Sequence, residues 1–299
     1  MNDSASVGFD PWIFDSSDPR YESKILGRED KRLFRTYVEE AVFFWRFLKP
    51  LIEERNPARA LEVGAGIGLL SLFAATRVKS VTALEPESSG FGRMSNFRKA
   101  IINAWHGKTE PKFKACFLHE LPNHETFDFI YCINVIEHVA EPEALIEEIY
   151  DRLEPGGMAW FVLPNYTFPY EQHFEIPIVL NKSYTQRLFH RRIRNHKASP
   201  DPEGLWAELS WPTQKKLSEF LRSSNRTHQF RATVLEGYFD RLGEPSFIGR
   251  KGPLYKALRP VIALLKPLII KLPLSVLPII EFSLYKPDVP LPETVSLKT

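Results

Sequence analysis

The sequence of 299 residues predicts an α/β fold, a mostly parallel sheet with helices on both faces, and three observations carry that expectation. Short, almost wholly apolar runs of strand length recur through the first 165 positions: "ALEV" from 60, "VTALE" from 81, "FKACF" from 113, "FDFIYCI" from 127 and "MAWFVLP" from 158. Stretches with helical character separate them, at Leu69 to Val78, Gly92 to Trp105 and Glu141 to Leu153. The runs lack polar alternation, and strands of that kind are buried on both faces, as parallel strands covered by helices are. With 43% hydrophobic and 13% aromatic residues, the chain can bury the core of one large domain or one and a half.

Taken in order, residues 1 to 20 are polar and rich in turn formers, and predict disorder. From Arg28 to Glu54, Leu33, Tyr37, Val42, Phe44, Trp45, Leu48 and Leu51 recur at helical spacing between charges. That pattern predicts one or two amphipathic helices broken at Pro50, so residues 1–57 read as a disordered segment and a helical cap. The strand and helix alternation fills 58–165. Beyond it, "TQKKLSEFLRSS" (213–224) predicts a helix with Thr213 as N-cap, and "FRATVLE" (230–236) a strand. "PIIEFSLYKP" predicts a last strand, which makes 166–287 a substrate-side region completing the sheet and 288–299 a tail.

Several classes are disfavoured by composition. The opening "MNDSASVGFDPW" has no basic segment leading into an apolar one, so no secretory signal is expected and the cytoplasm is the expected compartment. Cys116 and Cys132 lie in strand-like runs and read as buried, reduced and inert. The net charge of +2 hides an asymmetry: residues 1–165 carry 19 Lys and Arg against 25 Asp and Glu, and residues 166–299 carry 20 against 12. The basic half suits phosphates or an anionic membrane surface, with a solvated face as the alternative.

Chemistry is concentrated in "ALEVGAGIGLLSL", where a strand ends at Glu62 and Val63 and a helix follows Gly64, Ala65, Gly66, Ile67 and Gly68. Such a turn lets backbone approach a ligand at a helix N-terminus. Dinucleotide-binding folds use G-x-G-x-x-G, whereas here the third glycine comes one residue early and residue 69 is Leu. The turn with Glu62 resembles the E-x-G-x-G-x-G motif of class I S-adenosylmethionine-dependent methyltransferases. The resemblance continues in order through Glu85 at the end of "VTALEPE", "FDFIYCINVIEHV" (127–139), "LIEEIYDRLEPGGMAWFVLPN" (145–165) and "FSLYKP". Ubiquinone-biosynthesis and saccharide-modifying enzymes are the members it is most similar to.

This resemblance implies a Rossmann-like sheet of seven strands and S-adenosyl-L-methionine as methyl donor; the residues themselves add an N-terminal helical cap and a C-terminal apolar helical insert. By the same implication Glu62, Gly64, Ala65, Gly66 and Gly68 hold the methionine part, Glu85 accepts from both ribose hydroxyls, and Asn134, Glu137 and His138 lie near the methyl group. The chain departs from the family pattern at "CFLHELP" (116–122): Phe117 and Leu118 stand where relatives commonly place an acid against the adenine, with Glu120 a candidate substitute.

Methyl transfer needs donor and nucleophile held in line and water excluded, and a hydroxyl acceptor also needs a base. His173, between Glu171 and Glu175 in "NYTFPYEQHFEIP", is the preferred base, because flanking carboxylates bring a histidine into a usable range. His138 is the second candidate, its alternative role being to cap and orient the loop with Glu137. No Asp pair stands near the fourth strand, so no metal is expected.

Two segments of the basic half remain. "QRLFHRRIRNHK" (186–197) gathers Arg187, Arg191, Arg192, Arg194 and Lys197, which suits a phosphorylated acceptor or a solvated helix face. Nucleic acid is disfavoured because no stacking aromatics accompany the run. Between Glu244 and Glu281 there is no acid, while Arg250, Lys251, Lys256, Arg259, Lys266 and Lys271 punctuate an apolar series. Pro260, Pro267, Pro273 and Pro278 interrupt it too often for a transmembrane helix, so 246–280 reads as short amphipathic pieces at a membrane interface, a lid or a dimer contact. The expected function is O-methylation of a small or lipid-linked acceptor, a saccharide or quinone precursor. A non-catalytic binding or scaffold protein and a nicotinamide-dependent oxidoreductase are the alternatives. Oligomeric state is not legible.

Overall fold

The computed structural model describes residues 27–86, 97–99, 101–102, 105, 109–196, 201–241 and 253–288, without the side chains of 27–33 and 253–259. It comprises two compact units, one of residues up to Leu121 with Asn195–Leu205, the other of Pro122–Arg194 with Trp206 onward. The expected disorder of 1–20, most of the helix expected at 92–105, Lys197, residues 246–252 and the tail from 289 lie outside the described residues.

The first unit contains α1 (Gly27–Arg55), β1 (Arg59–Val63), α2 (Leu69–Ala75), β2 (Ser80–Leu84) and β3 (Lys112–Lys114). Its strands run parallel in the order β3-β2-β1, with Arg59 opposite Ser80 and Thr82 opposite Lys112. Every residue of α2 is buried, and Trp45 of α1 meets Phe73 of α2 at 5.8 Å between ring centroids. The expected break at Pro50 does not occur, since α1 runs through it. A mid-helix proline costs about 3 kcal/mol, while full burial of Leu48 and Ile52 on either side contributes roughly 1.5–3 kcal/mol each. The packed face therefore outweighs the one lost hydrogen bond, and Pro50 itself sits on the exposed side.

In the second unit, β4 (Phe127–Ile133) pairs in parallel with β5 (Leu153–Pro164), which pairs antiparallel with β9 (Ile279–Tyr285). β8 (Thr227–Arg231) completes the order β4-β5-β9-β8, antiparallel to β9. Phe161 and Phe282 stack at 4.4 Å across β5 and β9, in a core shared with fully buried Trp160. Between β4 and β5 lies α3 (Pro142–Asp151), and a small hairpin, β6 (Tyr170–Glu171) and β7 (Ile176–Pro177), follows β5. Across both units the seven strands of these sheets, with parallel pairings predominating, make the Rossmann-like α/β class that the sequence predicts.

The remaining helices are α4 (Lys182–Arg194), α5 (Pro202–Glu208), α6 (Gln214–Ser223), α7 (Thr233–Asp240) and α8 (Pro253–Ile269). Thr213 caps α6 as expected, accepting from the amide of Lys216 at 3.4 Å. The strand expected at 230–236 is corrected: β8 ends at Arg231 and Thr233 opens α7. The buried carboxylate of Glu281 accepts from the Val234 amide at 2.9 Å, supplying from β9 the cap that the local sequence lacks. The short pieces expected in the apolar insert are likewise corrected to a helix through Pro260 and Pro267. Among the described residues no helix is long and apolar enough to cross a membrane.

Asn165, directly after β5, ties distant segments together. Its side-chain amide donates to the carbonyls of Leu277 at 2.7 Å and Ser275 at 3.0 Å, and its carbonyl accepts from the amides of Thr167 and Gln214. All four bonds are made by a residue that is 2% exposed.

Candidate active site

The glycine turn of the first unit owes its shape to backbone that side chains rarely adopt. Gly64, Gly66 and Gly68 have φ of 76°, 52° and 84°. The amides of Gly64 and Ala65 donate to the carbonyl of Leu84 at 2.9 and 2.8 Å, which ties the turn to the end of β2. Gly66 is held from both sides, its amide donating to Glu85 Oε2 at 2.7 Å and its carbonyl accepting from Arg98 Nε at 3.1 Å. A Cβ at Gly66 would meet nothing within 4 Å, whereas one at Gly68 would lie 2.6 Å from the Phe113 ring. Close packing at Gly68 and open space at Gly66 give the two glycines different tasks.

Glu85 directly follows β2 and reaches back to the glycine turn. Burial pushes its carboxyl above the usual range, against the opposing pull of the Gly66 amide and Arg98. Glu62 is 5% exposed and accepts a hydrogen bond from Ser71 Oγ of α2, so it is joined to the helix that opens at the glycine turn. Arg98, 7% exposed, is a member that sequence reasoning missed; a lone arginine in a helical stretch carries no local signal of its role. Phe117 is half exposed with its ring stacked on His119, and Glu120 uses Oε2 to accept from the Phe117 amide at 2.6 Å.

The second unit brings Glu137, His138 and His173 together. After β4, Asn134 takes φ of 54° and its amide donates to the Val162 carbonyl at 2.8 Å, turning the chain into a short helical turn at Ile136–His138. Ser210 fastens this turn, its amide donating to the Glu137 carbonyl at 2.8 Å. The Glu137 side chain is 1% exposed, and neither of its carboxylate oxygens has a hydrogen-bond partner. Burial drives its carboxyl up to about 7 despite the opposing influence of His173. His138 is pushed down to about 4, by burial first and by His173 second, so its ring is neutral near pH 7.

His173 comes from the β6–β7 hairpin. Of the two carboxylates that flank it in sequence, Glu171 makes the contact. The fully buried Glu171 accepts from His173 Nδ1 at 2.7 Å, from the His173 and Phe174 amides at 3.1 and 2.7 Å, and from the Tyr166 hydroxyl at 3.3 Å. Burial alone would raise its pKa, but His173 and the two amides outweigh it and hold the carboxyl below the ordinary range. The Glu171 carboxylate thus engages Nδ1 of His173 and orients its ring, leaving Nε2 as the ring nitrogen that this carboxylate does not hold. The two imidazoles meet edge to face at 5.0 Å, each about a quarter exposed. One ligand atom from each of Glu137, His138 and His173 lies within 4.8 Å of the others. Tyr166, Trp211, Trp206 and Phe174 pack successively beside this cluster with centroid spacings of 5.1–5.6 Å.

The arginines of α4 do not join the cluster: Arg187, Arg191, Arg192 and Arg194 are all exposed. In α8, Leu264 and Leu268 are 79% and 64% exposed, while Lys266 pairs with Asp240 at 2.7 Å.

A buried acid tied to a glycine-rich turn after the first strand, on a Rossmann-like sheet, is the arrangement with which α/β proteins of this class offer backbone and carboxylate to a ligand. A methyltransferase domain model matches residues 33–231, and the chain belongs to that family. An uncharacterized protein of Mycobacterium tuberculosis is 33% identical over 196 residues, 65% of this chain and 66% of that protein. The ubiquinone biosynthesis O-methyltransferase of Xanthomonas oryzae pv. oryzae is 29% identical over 51% of this chain and 60% of its own length. In both cases the match spans less than two thirds of the relative. Among solved structures, a putative sarcosine dimethylglycine methyltransferase from Galdieria sulphuraria superposes with a TM-score of 0.50 at 14% identity, over 81% of this chain and 85% of that one. That likeness is one of fold.

Proposed function

We propose that this chain is an S-adenosylmethionine-dependent methyltransferase that O-methylates a small or lipid-linked acceptor of the saccharide or quinone-precursor type. The observation that carries the reading is the Gly66 amide bound to Glu85 beside space that a Cβ would fill without contact. These residues fit the donor: Glu85 has further lone pairs for ribose hydroxyls, and Glu62 with Gly64–Gly68 would hold the methionine part. When bound, the donor supplies a methyl group activated on a sulfonium sulfur. On the acceptor side His173, its ring fixed by Glu171, takes the hydroxyl proton at Nε2, and Asn134, Glu137 and His138 shape the loop around it. Oxygen as the accepting atom is supported by the relative named as an O-methyltransferase, and a lipid link by the exposed Leu264 and Leu268 of a helix that carries Lys256, Arg259 and Lys266 and no acid.

Calorimetry of the purified protein with S-adenosylmethionine, S-adenosylhomocysteine and NADH tests the donor. Micromolar binding of the first two and none of the third is expected, whereas NADH binding alone would transfer the chain to the oxidoreductases. Co-sedimentation with anionic liposomes at low salt tests the membrane element, and recovery of all protein in the supernatant would remove it.

A further inference from the structure

We propose that Glu137, His138 and His173 hold a divalent transition-metal ion of the zinc or manganese class, whose open coordination positions take an oxygen of the methyl acceptor. The second half rests on the O-methylation reading; the metal site stands without it.

Three features of the second unit lead there. One oxygen and two imidazole nitrogens lie within 4.8 Å of one another, a donor set of borderline softness that suits such ions. Bonds of about 2.0–2.2 Å bring ligand atoms to roughly 3–3.5 Å apart, so side-chain rotation of about an ångström closes the cluster. At its base, both oxygens of the buried Glu137 and Nδ1 of His138 have no hydrogen-bond partner, Nε2 of His138 standing 3.9 Å from Oε1 of Glu137, beyond hydrogen-bond reach. Burying a carboxylate in that state is costly, and buried charges are normally paired or bound to a metal. Behind His173, the carboxylate of Glu171 fixes the ring and its tautomer through Nδ1, the arrangement that orients metal-binding histidines elsewhere. The two histidines are about a quarter exposed, which leaves the cluster open to a solute on the side away from Glu137.

Three protein ligands leave room for one or more oxygen ligands. A hydroxyl bound there is acidified, as metal-bound water is. Its O–H bond breaks and the proton passes to solvent water; the oxygen's electron pair then forms the new bond to the methyl carbon as the carbon–sulfur bond of the sulfonium donor breaks, its pair staying on the departing neutral thioether sulfur. With the ion bound, His173 is a ligand and the ion replaces it as the group that acidifies the hydroxyl; the direct proton uptake by His173 proposed above belongs to the metal-free site.

The test uses the full chain, treated with a chelator and titrated with Zn²⁺ and Mn²⁺ by calorimetry in the absence of methyl donor. Cobalt(II) absorption serves as an independent report of nitrogen and oxygen coordination. One ion per chain is expected, with affinity at least tenfold weaker in Glu137→Gln and in His173→Gln, and 10- to 100-fold weaker in Glu171→Gln, a positioning residue. Thermal unfolding of each variant establishes that it is folded, and the wild-type stoichiometry does not depend on any variant. Fewer than half an ion per chain, or unchanged affinity in folded Glu137→Gln, overturns the proposal. Metal binding without S-adenosylmethionine binding would remove the methyltransferase reading and leave the site; the reverse would remove the site alone.

Discussion

Replacing Gly68 by alanine separates backbone strain from crowding in the turn. At φ of 84° an L residue is strained, at a cost of about 1–2 kcal/mol. The added Cβ would lie 2.6 and 2.7 Å from Cε1 and Cζ of Phe113, and relief of such overpacking costs about 1–3 kcal/mol more. Gly68→Ala should therefore lose about 2–5 kcal/mol in urea unfolding. In a Phe113→Ala background only the strain remains, so the two substitutions should couple by about 1–3 kcal/mol. Gly66→Ala makes the control: with nothing within 4 Å of its Cβ, it should lose only the strain, yet weaken donor binding if the donor takes the space proposed for it. Additive losses at positions 68 and 113, within about 0.5 kcal/mol, would refute the crowding account.

Further outcomes follow from the same geometry. Glu85→Ala should weaken S-adenosylmethionine binding by about 1–3 kcal/mol. Because burial raises the Glu85 pKa, and because in the proposed donor site ribose hydroxyls would donate to the ionised form, affinity should fall as pH drops through a midpoint above 4.5, and Glu85→Gln should abolish that dependence in calorimetry. Glu281→Ala leaves the Val234 amide and Trp160 Nε1 without their acceptor and should cost about 2–5 kcal/mol in chemical unfolding; an unchanged midpoint would show that Glu281 caps nothing. Once an acceptor is found, His173→Ala should lower kcat by about 10²–10⁴, and full turnover would dismiss His173 from the mechanism.

Local sequence announced the parts of the molecule whose causes are local. The strands, the glycine turn and Glu85 are readable because apolar runs and positive φ leave their mark within a few residues. Thr213 is legible for the same reason. Pro50 misled because its cost is local while the burial of Leu48 and Ile52 that offsets it is tertiary. The segment 230–236 misled likewise: its apolar residues fit a strand, and the carboxylate that starts the helix comes from Glu281, 47 positions away. In the candidate site, His138 and His173 could be named from sequence, but their meeting at 5.0 Å could not. Glu171 was visible only as one of two neighbouring acids, and its role depends on a hairpin that turns its carboxylate back toward His173 and Tyr166.

The hydrogen bond from Asn165 to Leu277 joins residues 112 positions apart. The chain between them leaves β5, adds β8 to the far side of β9 and returns just before β9, so that long excursion is clasped at its neck by one side chain. A segment fastened in this way can be lengthened, shortened or replaced while its two ends still meet at the same place. Chimaeras of this chain with its relatives should therefore be cut at Asn165 and Leu277, with the edge strand β8 carried along in the exchanged segment, so that β5 and β9 keep their register.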